Sequence, residues 1–381
     1  MKKKILISGA GVAGVICALS IDTEKYDIDM IEQADSFRNI GFSIMLWKSG
    51  FTILQDILRE HRQDFTEGKD YFPAKGFSLF GGLKIKKLKW MNAAGYAWVI
   101  ERAHLMDILE RALILKVSPG SLVFSKNITA IKNQEGKAFV SFDDSAQKEY
   151  DFVIIAEGIH SSTRTLVFPK EEKIVPLGQS LRYAWFNKET DLAENGALFF
   201  TKSHIGVIHP PYIRNLLGYY FKNGTSLKEQ QEFEKKMFGV IKQPDGQETS
   251  IDYETSRVFD LKNVYLPRYH AKNIVFVGDA AHGRPPTLGF GTSLAIEDSV
   301  LICRELNHIS SFENLESVLR KFSSIRAKRV EEIYRFQNFI HKFITGSEMK
   351  VRILSLCLEL FYAKHIERKI KHLASFSVGS R

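Results

Sequence analysis

The first 32 residues constrain the fold more strongly than any other part of the chain. Residues 4–8 (KILIS) form a short apolar run with β-branched side chains, which is typical of a strand buried on both faces. A glycine-rich turn follows, residues 12–20 have the small and apolar side chains of a packed helix, and residues 28–32 form a second strand that ends on an acid. Strand, tight turn, helix, strand and acid in this order predict a dinucleotide-binding unit.

The three glycines of the turn have separate physical tasks. Gly9 permits the tight turn, Gly11 lets a pyrophosphate approach the backbone because it has no Cβ, and Gly14 lets the helix pack closely on the strand. Val12 and Ala13 lie at the helix N-terminus, whose free N–H groups and positive dipole end favour phosphate. A glycine-rich turn without a ligand is the alternative, and the surrounding pattern favours nucleotide binding.

Glu32 lies 18 residues after Gly14, close to the usual offset for an acid that accepts hydrogen bonds from ribose hydroxyls. A carboxylate at this position favours a free 2′-hydroxyl and repels a 2′-phosphate. The adenosine half is therefore expected to belong to FAD or NAD rather than to NADP. Gln33 follows directly and is expected at the same site.

The composition is that of an ordinary folded protein. The sequence argues against a disulfide-rich protein, a metal protein and a membrane-spanning protein. Cys17, Cys303 and Cys357 are scattered and match neither a disulfide framework nor a metal site, so we predict no metal and a reducing, cytoplasmic environment. No stretch is apolar over enough residues to predict a transmembrane segment.

The net charge of +9 is concentrated near the end of the chain, where residues 310–381 carry 14 Lys and Arg against 7 Glu. One interpretation is a surface for an anionic membrane or a nucleic acid. Charges alternate with apolar residues at helical spacing, which favours a solvated helix face instead. We therefore expect no nucleic-acid partner and a monomer or dimer, and we leave open a peripheral membrane contact through this basic tail.

Strand-like and helical segments divide the chain into two predicted domains and a helical end. Residues 71–98 and 179–221 contain short strand-like runs separated by turn residues, which is typical of an antiparallel sheet. We predict an α/β fold with a nucleotide-binding domain of residues 1–70, 99–172 and 268–311, an inserted antiparallel-sheet substrate domain of residues 71–98 and 173–267, and C-terminal helices in residues 312–381.

A second glycine-rich segment, GDAAHGRPPTLGFG at residues 278–291, separates an apolar strand from a helix that begins near Thr292. Asp279 is suited to accept hydrogen bonds from a polyol, while Gly289 and Gly291 let backbone N–H groups approach a flat ring. The helix start adds a positive dipole end. A flavin fits, because its reduced form carries negative charge around N1 and the C2 oxygen.

Two arginines are candidates for contacts with phosphate. Arg102 stands near the predicted start of a helix over residues 103–115, where a cation is unfavourable unless an anionic partner is close. Arg38 lies in the loop after the second strand and can reach a phosphate or a ribityl chain. An ordinary surface arginine is the alternative at both positions.

Three motifs occur in order: residues 9–14 with Glu32, AEGIHSSTR at residues 156–164, and residues 278–291. Together they resemble the single-component (group A) FAD-dependent aromatic-ring hydroxylases, which have the p-hydroxybenzoate hydroxylase fold. The layout is particularly similar to that of tetracycline-inactivating monooxygenases. The resemblance implies a Rossmann-like FAD-binding domain with FAD as cofactor, and it says much less about the substrate.

By this resemblance, Glu32 binds the adenosine ribose, Asp279 binds the ribityl chain, and Arg102, in an Arg-x-x-Leu motif, contacts the FAD. Arg38 and Gly41 match the family loop after the second strand, and residues 286–291 run beside the isoalloxazine ring. The predicted cofactor-binding residues are Gly9, Gly11, Val12, Ala13, Gly14, Glu32, Gln33, Arg38, Gly41, Arg102, Glu157, Gly158, Asp279, Pro286, Gly289, Gly291 and Thr292.

Two residues depart from the family pattern. Glu157 replaces the usual Asp of the second motif, which in the family is linked to both FAD and the pyridine nucleotide, so nicotinamide use is expected to differ in detail. Ser293 stands where many relatives carry Asn, so the hydrogen bonding near the flavin is also expected to differ.

The resemblance implies a monooxygenase in which NADPH or NADH reduces the FAD. Reduced flavin and O₂ then form a C4a-hydroperoxide, which transfers one oxygen atom to a small aromatic or polycyclic organic substrate. We expect the substrate between the flavin and the second sheet. Strand alternation allows only about half of the following candidates to line the pocket: Arg182, Tyr183, Trp185, His209, Tyr219 and Phe221.

No catalytic acid or base is assigned from the sequence. His160, His209 and His282 are titratable near neutral pH, and we interpret each as a structural hydrogen-bonding residue.

Two other functions are compatible with these motifs. A flavin-dependent reductase or dehydrogenase would resemble geranylgeranyl reductases, whose substrate motif is partly matched by residues 183–186, although Asn187 stands where a proline is expected. A non-catalytic FAD-binding protein is the other. A flavin-dependent halogenase is disfavoured because the sequence lacks Trp-x-Trp-x-Ile-Pro. NADH consumption separates enzyme from binding protein, and product mass separates oxygenation from reduction.

Overall fold

The structure, a computed structural model, describes residues 2–37, 41–81, 86–170, 173–186, 196–200, 205–208, 215–239, 251–344 and 363–377. Helices and strands are numbered here in chain order. The helices are α1 (Val12–Ser20), α2 (Lys48–Glu60), α3 (Arg102–Lys116), α4 (Ser162–Val167), α5 (Leu227–Phe238), α6 (Asp279–His282), α7 (Gly291–Asn307), α8 (Leu315–Ile344) and α9 (Ala363–Ala374).

A six-stranded sheet contains the first two strands of the predicted nucleotide-binding unit, and its strand order is β18-β19-β12-β1-β2-β8. All neighbours are parallel except β18, which runs antiparallel to β19. The apolar residues of β1 and β12 are buried because other elements cover both faces of the sheet. The strands are β1 (Lys3–Ser8), β2 (Tyr26–Ile31), β8 (Leu122–Val123), β12 (Phe152–Ile155), β18 (His270–Ala271) and β19 (Ile274–Phe276).

The register of the parallel strands brings the three sequence motifs together. Ser8 at the end of β1 is the partner of Ile155 in β12, and Ile155 is the partner of Phe276 in β19. A motif follows β1 and β12 directly, and the third motif follows β19 after one residue, Val277. All three motifs therefore meet at the carboxyl edge of one sheet, where open α/β sheets bind their ligands.

A seven-stranded sheet forms the second layer, with the order β17-β13-β16-β15-β14-β5-β6. Its neighbours are antiparallel except for β14 and β5, which are parallel. The predicted α/β fold with an inserted antiparallel sheet is confirmed, and the parallel pair is the exception. The strands are β5 (Gly76–Gly81), β6 (Lys86–Asn92), β13 (Lys173–Phe186), β14 (Gly196–Phe200), β15 (Ile205–Ile208), β16 (Asn215–Lys222) and β17 (Arg257–Tyr265).

Two three-stranded sheets complete the described strands. The order β3-β7-β4 shares apolar clusters with both larger sheets, and the order β11-β10-β9 packs beside the first. Their strands are β3 (Ser43–Trp47), β4 (Phe72–Pro73), β7 (Ala97–Glu101), β9 (Ile128–Gln134), β10 (Lys137–Phe142) and β11 (Gln147–Tyr150).

The two faces of the seven-stranded sheet have different partners. Ala184 and Phe186 of β13 share an apolar cluster with Phe233 and Met237 of α5. The alternate residues of β13 turn the other way, so that Tyr183 and Trp185 pack on Phe42, which precedes β3. The face that contains Tyr183 and Trp185 therefore packs toward the predicted nucleotide-binding domain, which includes Phe42.

The C-terminal part of the chain is helical in its described residues, as the sequence predicts. Helix α7 packs on α1 and α2, and α8 packs on α7. Within the described residues, no helix combines the length and the apolar composition that crossing a membrane requires.

A glycine allows the close approach of α2 and α7. A Cβ at Gly50 would stand 2.6 Å from the Cα of Ser293. We expect Gly50→Ala to lower the free energy of unfolding by about 1–3 kcal/mol through overpacking, although alanine is the better helix former. Urea unfolding measures the change. Thr52→Ala on the exposed face of α2 is the control and should stay within about 0.5 kcal/mol of wild type. A Gly50→Ala protein as stable as wild type would contradict the contact.

Candidate functional site

A cavity of about 200 Å³ opens at the carboxyl edge of the six-stranded sheet. It brings residues of the first and second motifs together with Arg102. Its lining consists of Ser8, Gly9, Ala10, Gly11, Glu32, Gln33, Phe37, Arg102, Met106, Lys126, Asn127, Ala156, Glu157, Gly158, His160 and Ser162.

The glycines of the first turn separate into two that the fold requires and one that faces open space. Gly9 has φ +106°, and a Cβ there would stand 2.5 Å from the carbonyl oxygen of Ala156. A Cβ at Gly14 would overlap the carbonyl oxygen of Gly9. A Cβ at Gly11 would meet no atom within 4 Å, although Gly11 lines the cavity. The open cradle at Gly11, beside the N-terminus of α1, fits a pyrophosphate.

Glu32 is held in the cavity wall by two backbone N–H groups. The N–H of Ala10 donates to Oε2 at 2.8 Å, and the N–H of Ala34 donates to Oε1 at 2.9 Å. An ionised carboxylate has about four acceptor positions, so roughly two remain for a ligand. The carboxylate therefore stabilises the glycine turn and can also accept ribose hydroxyls. Gln33 lines the cavity beside it.

Arg102 is the first residue of α3, one residue earlier than predicted, and its backbone N–H donates to the carbonyl of Phe42 at 3.2 Å. Its alkyl chain lies on Gly41, because a Cβ at Gly41 would stand 2.9 Å from the Cδ of Arg102. The absence of a side chain at Gly41 therefore lets Arg102 cross the loop and reach the cavity.

Asp279 begins α6, directly after Gly278, which has φ +59°. Its side chain is exposed to solvent, yet the protein atoms around it raise the pKa of the carboxyl by desolvation, while His282 and Arg102 act in the opposite direction. A Cβ at Gly291 would stand 3.9 Å from Oδ1 of Asp279. Asp279 therefore lies beside the N-terminus of α7, which also contains Thr292, and Arg102 is close enough to act on its charge.

The first and third motifs are in contact through small residues. A Cβ at Gly278 would stand 3.5 Å from the Cβ of Ala13 in α1. The hydroxyl of Ser299 in α7 donates to the carbonyl of Ala13 at 2.9 Å. Val12 precedes Ala13 at the partly exposed start of α1.

The loop before α7 is fixed by Trp47 of β3. The indole Nε1 donates to the carbonyl of Leu288 at 2.8 Å, and the Trp47 ring stacks on Phe290 with 4.8 Å between centroids. Gly289, with φ +66°, donates its N–H to the carbonyl of Pro286 at 3.1 Å. The sequence predicts that this N–H approaches a flat ring, whereas in the structure it closes a turn.

Ser293, the residue that departs from the family pattern, is fully buried in α7. Its hydroxyl accepts the backbone N–H of Trp47 at 2.9 Å. The sequence predicts that hydrogen bonding near the flavin differs at this position, and in the structure the Ser293 hydroxyl bonds to β3.

The carboxylate of Glu157 is surrounded by donors from the chain itself. Its Oε1 accepts the hydroxyls of Ser8 and Thr163, both at 2.6 Å. Its Oε2 accepts the hydroxyl of Ser161 at 2.7 Å and the N–H of Thr163 at 3.2 Å. Glu157 lines the cavity, as does Gly158 with φ +72°, but its hydrogen bonds join the end of β1 to the start of α4.

The predicted substrate residues do not lie together. Trp185 faces Phe42 at 5.5 Å between ring centroids. Arg182 and Tyr219 point to the opposite face of the sheet, where the Arg182 Nε donates to Gln230 at 3.2 Å and the Tyr219 hydroxyl to Glu234 at 2.5 Å. His209 and Arg38 lie outside the described residues.

Several residues at the site were not singled out from the sequence. Lys126 and Asn127 line the cavity but are distant from every motif, so no local signal marks them. Glu297 and Asp298 lie in the helix that the sequence predicts after Thr292, and both are buried. Two adjacent acids on a helix that is otherwise largely apolar could have predicted a buried ion-pair cluster, because buried charges require partners.

Comparisons with known proteins identify the family. A family model described as FAD binding domain matches residues 108–337, more than half of the chain. The putative FAD-dependent monooxygenase YetM of Bacillus subtilis (strain 168) is 23% identical over 350 residues, which covers 87% of this chain and 92% of that protein.

Solved structures show the same fold. HpxO of Klebsiella pneumoniae, complexed with FAD and uric acid, has a TM-score of 0.79 at 16% identity, covering 98% of this chain and 96% of the other. The tetracycline destructase Tet(51) has a TM-score of 0.69 at 18% identity, covering 100% of both chains.

The fold and the motifs together are those of a group A flavin-dependent monooxygenase, as the sequence resemblance predicts. The chain belongs to the FAD binding domain family. The residues at the cleft fit that cofactor, because the turn at Gly11 is open and Asp279 lies beside a helix N-terminus.

The open space at Gly11 allows a test in which folding and cofactor binding separate. We expect Gly11→Ala to keep or slightly raise the stability of the FAD-free protein, by about 0.4–1 kcal/mol, because alanine restricts the unfolded chain. The added methyl group should raise the dissociation constant for FAD at least roughly tenfold by displacing the pyrophosphate. Thermal unfolding and flavin fluorescence titration measure the two effects. Unchanged FAD affinity would show that the pyrophosphate does not pass over Gly11.

The hydrogen bonds of Glu157 predict a structural effect of its substitution. Glu157→Gln replaces one carboxylate oxygen with an NH2 group, which would face the donors of Ser8, Ser161 or Thr163 instead of accepting from them. We therefore expect a loss of about 1–3 kcal/mol in the free energy of unfolding. Glu157→Asp should also destabilise, because the shorter side chain cannot reach Ser8 and Thr163 together. Urea unfolding and FAD titration of both variants provide the measurement. A Glu157→Gln protein that keeps its stability but loses FAD would instead assign the carboxylate to the cofactor.

Proposed function

We propose that this protein is a monooxygenase that takes electrons from NADH or NADPH and inserts one atom of O₂ into a small aromatic or polycyclic organic substrate. The observation that carries the proposal is the convergence of three distant motifs on one sheet edge, next to the aromatic face of a second sheet. The convergence supports a bound FAD, and the aromatic face supports a flat, apolar substrate beside it.

We infer a ligand role for the predicted cofactor residues that the structure describes, except Glu157, whose carboxylate accepts hydrogen bonds from the chain itself. When bound, FAD supplies the redox chemistry and activates O₂. The proposed ligands are Gly9, Gly11, Val12, Ala13 and Gly14 for the pyrophosphate, Glu32 and Gln33 for the ribose, Arg102 with Gly41 and Gly158 along the phosphate side, Asp279 for the ribityl chain, and Pro286, Gly289, Gly291 and Thr292 beside the ring.

Helix α7 gives the chain a means to stabilise negative charge on the flavin ring. Its first N–H groups have no acceptor within the helix, and its dipole is positive at this end. Asp279 lies at the same end, and Arg102 carries a positive charge close to it. The helix end and Arg102 therefore offset the cost of bringing an anionic cofactor next to a carboxylate.

The proposed substrate surface is aromatic and uncharged. Tyr183, Trp185 and Tyr220 share one face of the sheet, and Phe42 lies 5.1 Å from Tyr183 between ring centroids. Burial raises the pKa of Tyr183 to about 12 and also raises the pKa of Tyr220, so both phenols are neutral at pH 7. A neutral phenol can donate one hydrogen bond to a substrate oxygen without introducing charge. Of the six substrate residues that the sequence predicts, Tyr183 and Trp185 are the proposed contacts, because both lie against Phe42.

We assign no catalytic acid or base. Burial and the charges of Lys262 and Arg164 lower the pKa of His160, whose Nδ1 lies 3.1 Å from the Nζ of Lys262. His282 is buried and pairs with Asp298. The chain's contribution is therefore to bind, orient and exclude water, and the flavin carries the reaction chemistry.

The proposal is tested on the purified, FAD-loaded protein. We expect the flavin absorbance band to bleach on anaerobic titration with NADH or NADPH and to return when O₂ is admitted. A panel of flat aromatic acids, N-heteroaromatic compounds and polycyclic phenols should contain a compound that accelerates NAD(P)H consumption and gains one oxygen atom by mass spectrometry. Gly11→Ala, expected to bind FAD poorly, is the matched control.

Two results would overturn the proposal. A bound flavin that neither nucleotide reduces, with or without the panel, would indicate another electron donor or a binding role. A product that gains two hydrogen atoms and no oxygen would identify a reductase of the same fold.

A further inference from the structure

Four charged side chains are buried together between α7 and α8. Glu297, Asp298 and Arg326 have no exposed surface, and Arg329 is 5% exposed. The Arg326 Nε donates to Asp298 Oδ1 at 2.5 Å, and its Nη1 donates to Glu297 Oε2 at 2.8 Å. The Arg329 Nη2 donates to Glu297 Oε1 at 3.1 Å. The charges of two carboxylates and two guanidinium groups thus balance in a region almost fully shielded from solvent.

Among the described hydrogen bonds of the four side chains, those of Asp298 connect this cluster to the segment that carries Asp279. Its Oδ2 accepts the backbone N–H of Gly278 at 2.8 Å and lies 2.7 Å from the Nε2 of His282. Gly278 precedes α6 and His282 ends it, so one carboxylate oxygen holds both ends of this single turn. Asp279 is the first residue of the turn.

We propose that Asp298, oriented by Arg326, is a positioning residue for flavin binding, because it fixes the turn that presents Asp279 to the cofactor. The inference rests on the proposed role of Asp279 as a ligand of the ribityl chain. Asp298 itself need not touch the cofactor.

The electrostatics of the cluster keep Asp298 in the form that this role requires. Burial alone would raise the pKa of Asp298, but Arg326 and His282, with the hydrogen bonds from His282 and Gly278, outweigh it and lower the pKa. The carboxylate is therefore ionised and accepts all three donors. The Nε2 of His282 is the donor in its pair with Asp298, and the hydroxyl of Tyr334 donates to the carbonyl of His282 at 2.6 Å.

The same cluster fastens the C-terminal helices to α7. The Arg329 Nη2 donates to the carbonyl of Leu373 in α9 at 2.6 Å. The Arg326 Nη2 donates to the carbonyl of Leu294, in the first turn of α7, at 3.3 Å. Helix α8 is thereby hydrogen-bonded to the N-terminal turn of α7, the end that we propose to lie beside the flavin.

Glu297 provides a matched control for Asp298. It is adjacent in sequence, equally buried and paired with the same Arg326, but its described hydrogen bonds run to Arg326 and Arg329 rather than to α6. Asp298→Asn and Glu297→Gln each remove one buried charge and preserve side-chain size. A merely structural cluster would respond similarly to both changes.

The experiment measures FAD affinity and backbone protection in both variants. For Asp298→Asn we expect a rise of roughly tenfold in the FAD dissociation constant, faster hydrogen exchange of the Gly278 amide in the FAD-free protein, and a shifted flavin absorbance band. For Glu297→Gln we expect FAD affinity within about threefold of wild type at a similar loss of thermal stability. Equal losses of FAD affinity in the two variants, or wild-type affinity in Asp298→Asn, would overturn the inference.

A second pair of variants covers the case in which Asp298→Asn does not fold. His282→Gln retains a donor near the position of Nε2, whereas His282→Ala removes it. We expect His282→Ala to weaken FAD binding several-fold and His282→Gln to restore most of the affinity. Equal affinities in the two variants would contradict the positioning role.

The two proposals fail in different ways. A wild-type protein that binds no FAD would overturn the proposed function, whereas the exchange rate of the Gly278 amide is measured without FAD. Wild-type FAD binding combined with an unprotected Gly278 amide would overturn the positioning role alone.

Discussion

The parallel pairing of β1 with β12 and of β12 with β19 is the constraint on which the rest of the molecule depends. Residues far apart in sequence become neighbours because the N–H of Ala156 donates to the carbonyl of Ser8 at 2.7 Å and the N–H of Val277 donates to the carbonyl of Ile155 at 3.0 Å. These two bonds lie where the strands end and the motifs begin. A shift of one residue in either pairing would move a glycine turn away from the others.

Each of the three strand ends is also held by a carboxylate. Glu32 accepts an N–H of the first turn, Glu157 joins the end of β1 to α4, and Asp298 accepts the N–H of Gly278. Backbone N–H groups at such turns have no partner within a sheet, and a carboxylate satisfies them strongly. Glu32 and Glu157 therefore bring negative charge to the site before any anionic ligand arrives, whereas the charge of Asp298 is balanced by Arg326. Arg102 and the N-terminal ends of α1 and α7 supply the opposing positive charge.

The elements that follow from local pattern were predictable from the sequence. Helix α1 has the predicted bounds, and the antiparallel character of the second sheet follows from its short runs and turn residues. The direction of individual side chains was not predictable, because the β13–β17 register shifts between Pro176 and Ser180 and tertiary pairing fixes which residues face α5. The partners of Glu157 and Asp298 were equally hidden, since they lie in other segments and burial alone creates the need for them.

The parallel pairing of β14 with β5 has a consequence for how the chain is made. Strands β5 and β6 form a hairpin early in the chain, whereas their partner β14 follows only after β12 and β13 have been synthesised. During synthesis the β5 edge of the hairpin therefore lacks its neighbour β14, and two-stranded hairpins are marginally stable alone. Both large sheets close through contacts of long sequence separation, which is typical of slow folding. Both large sheets can therefore form fully only after the later strands have been synthesised, although the nucleotide-binding unit begins at the start of the chain.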